Sequence, residues 1–178
     1  MSLFYATLAT GLFLILCGGT LILNYNRSQV FLKAFPRSKT ATYILMACAM
    51  VWFSFKILNL GPADFGAYKH ILLSIFLAIT FASFYLVPDF LGVRALAGLA
   101  LLIASLLLDA AYMQDPTSRL FLVSFVYLVI LLALILGGAP YLLRDAINWF
   151  FKKQFRVNLF AYVLCLYGAL LGYVALNY

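Results

Sequence analysis

Six apolar runs dominate the chain, at residues 3–23, 41–60, 71–87, 95–113, 120–138 and 159–177. A run of about 20 such residues, rising about 1.5 Å per residue as a helix, crosses the roughly 30 Å hydrocarbon core of a bilayer. The 71–87 run is at the lower edge of that length and should borrow residues from its flanks. In lipid the backbone must satisfy its own hydrogen bonds, so helices are the fold such runs allow. Only 10% of the residues are charged and 67% are hydrophobic, whereas soluble domains average about 25% charged. A small water-soluble fold could not hide that much apolar surface. The expected fold class is therefore all-α: a polytopic membrane bundle of six transmembrane helices forming a single integral domain over residues 1–178. Short connections should leave sequence neighbours antiparallel. The opening stretch MSLFYATLATGLFLILCGGT lacks a basic leader. It also places Leu16 where a lipoprotein cleavage site needs a small residue, so it is expected to stay as the first span.

Basic residues fall unevenly between the runs. Arg27, Lys33, Arg37, Lys39, Arg94, Arg144, Lys152, Lys153 and Arg156 lie on one side, nine in all, against Lys56, Lys69 and Arg119 on the other. The positive-inside bias then puts the nine in the cytoplasm and both termini outside, as an even number of spans requires. A bacterial cytoplasmic (inner) membrane is the expected location. The net charge of +7 is distributed as topology signals and contacts to anionic headgroups, without the continuous basic groove that nucleic acid needs.

One connection is richer than the others. GGAPYLLRDAINWFFKKQFRVN, residues 137–158, places acid, tryptophan and cations in one short span. On a helix over about 140–153, Arg144, Asp145, Asn148, Lys152 and Lys153 gather on one half, opposite Leu143, Ala146, Ile147 and Phe150. Trp149 falls at the boundary, where amphipathic rings prefer headgroup depth. Gly137 and Gly138 should loosen the end of the fifth span, and Pro140 suits a first helical turn. An in-plane amphipathic helix between the fifth and sixth spans is expected. The earlier loop NYNRSQVFLKAFPRSKT is also basic and aromatic. Arg27, Lys33, Arg37, Lys39, Arg144, Trp149, Lys152, Lys153 and Arg156 thus form a candidate surface for lipid headgroups or a partner.

Charges within spans are costly and each is a functional hypothesis. Lys56 and Asp109 each lie four residues, or about 6 Å of helical rise, inside the outer ends of the second and fourth spans. Their signs are opposite and their depths alike, so an ion pair forms if the two helices touch. Trp52 and Asn59 share the Lys56 stripe, and Ser105 and Tyr112 share that of Asp109, outlining a candidate polar pocket. The competing reading is boundary placement, with the lysine stem in lipid and its ammonium at the interface. In YLVPDFLGVRALAGLA, Pro88 should end the third span, Asp89 should cap the next helix and Arg94 should balance the charge. Gly168 and Gly172 form a GxxxG, which lets another helix approach closely.

The chemistry that enzymes use is sparse. His70 is the only histidine, there is no glutamate, and the aspartates Asp64, Asp89, Asp109, Asp115 and Asp145 are scattered. No HExxH, GxSxG, P-loop or Gly-rich dinucleotide fingerprint occurs, so no catalytic residue, metal ligand or cofactor is assigned. Cys17, Cys48 and Cys165 read as small apolar residues. The leading expectation is a non-catalytic integral membrane subunit, scaffold or assembly factor of a larger membrane complex. Its partners would be membrane lipids, anionic headgroups included, and other membrane subunits. The alternative is a small transporter or channel for a neutral or lipid-like solute at the Lys56/Asp109 pocket, followed by an intramembrane enzyme acting on lipid.

Overall fold

The computed structural model describes residues 2–61, 64–86 and 89–178. All regular structure among them is helical, and six helices are long and apolar enough to cross a membrane. They are α1 (Leu3–Leu23), α3 (Lys39–Leu58), α4 (Lys69–Leu86), α5 (Leu91–Ala111), α6 (Arg119–Gly138) and α8 (Gln154–Leu176). Two short helices, α2 (Tyr25–Ala34) and α7 (Tyr141–Phe150), occupy the connections after α1 and α6. Parity of the spans brings α2 and α7 to one end of the bundle, called here the short-helix end.

Span existence follows the apolar runs, while the boundaries shift for local reasons. The first span is found at its expected limits. α3 starts at Lys39 because the Ser38 hydroxyl caps it, accepting from the Ala41 N–H at 3.2 Å. Such a cap satisfies an otherwise unpartnered first-turn donor. α8 starts at Gln154, well before its apolar window, because Val157 is already buried in its first turn. α5 likewise begins early, at Leu91. Asp89 does not cap it: Phe90 holds the cap position with φ 56, and no side chain bonds the first turn. Val87 and the expected stop at Pro88 lie outside the described residues.

Packing is strongly unequal. α1 and α8 form the most intimate pair, antiparallel, with α5 and α6 as a second. Between the pairs sits the core, where Leu3, Ala6, Leu14, Ala104, Leu122, Val126 and Leu171 meet. Thr7 and Thr10 are buried there and donate to the carbonyls of Leu3 and Ala6 at 2.9 and 2.8 Å, so neither hydroxyl is left unsatisfied. α3 leans on α5, and α4 is held mainly by α3, through stacked Tyr43 and Phe84 and tilted Phe53 and Phe76. The outside is coated with large apolar side chains, with Tyr85 at 90%, Leu23 at 82% and Leu86 at 79% exposure. Water does not tolerate such a surface on a monomer, and a bilayer does.

The close α1–α8 approach has a visible cause. A Cβ added at Gly11 would stand 2.8 Å from the Gly168 carbonyl oxygen, and one at Gly168 would stand 2.7 Å from that of Gly11. Gly18 opens the next stretch, where a Cβ would meet Cys165 Sγ at 2.5 Å and the Ala161 carbonyl oxygen at 2.7 Å. Gly172, the other half of the GxxxG, differs: a Cβ there meets nothing within 4 Å. Within the chain, Gly168 faces Gly11 and Ile15 of α1.

Candidate functional site

The short-helix end is assembled from two segments that are far apart in sequence. α7 buries Ile147, and Leu143 and Phe150 pack beside it, while Phe151 and Val157 complete a small apolar cluster. Against that cluster lie Leu21 of α1 and Tyr25 and Leu32 of α2, with the Tyr25 and Phe151 rings 5.7 Å apart. The apolar half expected of this segment faces inward at Leu143, Ile147 and Phe150, whereas Ala146 is exposed. Because α2 and α7 share one apolar floor, the two basic segments lie together at this end, called here the basic platform.

Arg27, Lys33, Arg37, Lys39, Lys152 and Lys153 are exposed on it, and Arg144 and Arg156 are half-buried. The helix over 140–153 is shorter than expected. α7 stops at Phe150, so Lys152 and Lys153 stand in the turn that reverses the chain into α8, with Lys153 as its N-cap. Arg156 belongs to α8. Its guanidinium stacks 4.0 Å from the Trp149 ring centre and donates to the Trp149 carbonyl at 3.1 Å, a cation–π contact worth about 0.5–1 kcal/mol when exposed. Asp145 is neutralised by its neighbour, since Arg144 donates to Oδ1 through Nε at 2.9 Å and approaches it through Nη2 at 2.8 Å. The six exposed cations have no carboxylate beside them among the described residues. Gly137 and Gly138 remain inside α6, which runs to Gly138.

The sequence reading treats residues 24–40 as a loop. The structure instead makes a ten-residue helix from Tyr25, with Asn24 the single residue between it and α1. Pro36 is buried in a 3₁₀ turn beyond the end of α2. The missed signal was Leu32, seven residues after Tyr25 and so on the same helical side.

At the opposite end, Lys56 Nζ and Asp109 Oδ2 approach to 3.9 Å, joining α3 to α5. Both side chains are open, at 44% and 73% exposure, and such pairs are individually weak. The surrounding residues do not all converge on them. Asn59 caps α3 and its amide donates to the Phe55 carbonyl at 2.7 Å. Tyr112 lies one residue past α5 and is exposed. Trp52 lines a shallow apolar depression with Ala47, Cys48, Val51 and Phe55, while Ser105 is half-buried on α5. Among the described residues no group of three or more His, Cys or Asp side chains is placed to hold a metal ion. Comparison with protein-family models, curated proteins and solved structures returns no match to this chain.

Proposed function

We propose that this chain is a non-catalytic integral membrane subunit or scaffold that docks through the basic platform of α2 and α7. The observation that carries the reading is that two basic segments distant in sequence share one apolar floor, while six cations in and beside them are exposed. In the membrane the platform lies on the cytoplasmic side, with α7 in the interface plane and both termini outside. The charge asymmetry of the connections supports that orientation. Trp149 and its stacked Arg156 sit at headgroup depth, and the exposed lysines and arginines attract anionic headgroups and the acidic surface of a partner subunit.

Replacing Arg27, Lys33, Lys152 and Lys153 together by Gln tests this. The fold should persist, because none of the four is buried. Co-extraction of other polypeptides should fall sharply, and raising salt should do the same to the unaltered protein, as screening shortens from about 8 Å at 0.15 M to about 3 Å at 1 M. Unchanged co-extraction under both treatments would sink the docking role. The second reading, passage of a neutral or lipid-like solute past Lys56 and Asp109, is favoured by their 3.9 Å approach. It requires that Lys56→Met and Asp109→Asn abolish flux in folded protein.

A further inference from the structure

A cleft of about 430 Å³ lies between α3, α4 and α5, inside the roughly 300–1,000 Å³ range of small-molecule sites. It exists because α4 rests on α3 and barely meets α5, and because Gly98 leaves its α5 wall empty: a Cβ there meets nothing within 4 Å. The walls are largely apolar, with Met50 and Phe53 of α3 facing Phe76 of α4 across the lining. Thr80 and Ser83 also face it, but their hydroxyls already donate to the carbonyls of Phe76 and Ile79, each at 2.8 Å. Arg94 is the one charged residue in the lining, and it stands at the short-helix end. Among the described residues no carboxylate forms an ion pair with it, Asp89 included.

We infer that this cleft binds one anionic phospholipid, with one of its two acyl chains along α5 beside Gly98 and its phosphate on Arg94. Length favours lipid over a partner helix. From Leu91 to Leu102 the α5 wall rises about 17 Å at about 1.5 Å per residue, which matches one leaflet's share, about 15 Å, of the hydrocarbon core. A partner span would need a seat twice as long. Charge sets the head: an arginine fork matches phosphate oxygens, and a zwitterionic lipid brings a competing cation. The site rests on insertion of the six helices in a bilayer and is independent of the docking platform.

The test uses the full chain in vesicles of phosphatidylglycerol and phosphatidylcholine, with either lipid carrying a photoactivatable group on its acyl chain. Phosphatidylglycerol should label residues around Met50, Ser83 and Gly98 in preference to the exposed faces of α6 and α8. Gly98→Leu, whose side chain enters open space, should reduce that labelling about tenfold, the loss expected when roughly 1.4 kcal/mol of contact is removed. Arg94→Gln should make the two lipids label alike, while Lys152→Gln with Lys153→Gln should change nothing in the cleft. Uniform labelling of all exposed faces, or wild-type labelling in Gly98→Leu, would overturn the assignment. If Arg94→Gln does not fold, the Gly98 variant decides alone. A polypeptide crosslinked in the cleft in native membranes, in place of lipid, would also refute it.

Discussion

Gly168 and Gly172 share a motif and have different surroundings. An alanine at 168 presses its methyl against the backbone of α1 at 2.7 Å, whereas one at 172 enters free space. Overpacking a close seam costs about 1–3 kcal/mol. Gly168→Ala should therefore lower the thermal midpoint of the solubilised protein, and Gly172→Ala should leave it in place or raise it slightly. Equal effects would mean that the α1–α8 seam is not as close as described. The motif was legible in the sequence, but its partner was not. Gly11 and Gly18 stand seven residues apart, two turns on one side of α1, yet nothing in that spacing says which helix they meet.

Among the elements, α7 was anticipated and α2 was not. A strong apolar side, with Ile147 and Leu143 opposite Arg144 and Asn148, makes α7 visible from periodicity. α2 carries turn-forming Asn26 and Ser28 beside an apolar side too narrow to announce a helix, and its Tyr25 and Leu32 pack on the floor shared with α7. That packing predicts coupling. Ile147→Ala removes the buried centre of the shared floor, at a cost of about 2 kcal/mol or more, and amide exchange should quicken in residues 25–34 as well as in 141–150. If only α7 responds, the platform is two independent pieces. The ends of α3, α5 and α8 were misplaced because an apolar window marks where lipid begins, while caps and first-turn contacts such as Ser38 and Val157 decide where helices begin.

For the molecule as a whole, six runs of spanning length dictated the number of long helices, and short connections dictated their alternation. Which helices pair was beyond reach. It depends on where small residues face each other, at Gly11 with Gly168 and at Gly18 with Cys165, and on aromatic contacts such as Phe53 with Phe76. Equal depth and opposite sign made a Lys56–Asp109 approach conditional on contact between the second and fourth spans, which the sequence does not show, and the cleft beside α4 was out of reach because it is made by a missing contact. A closely packed half, α1 with α8 and α5 with α6, thus carries a lightly held edge at α4, and the proposed subunit role assigns docking to the basic end. The most direct measurement is the native mass of the protein extracted with its surrounding lipid, with every co-migrating chain identified. A reproducible assembly containing other polypeptides is the predicted result; a lone chain or a homo-oligomer would contradict the subunit role.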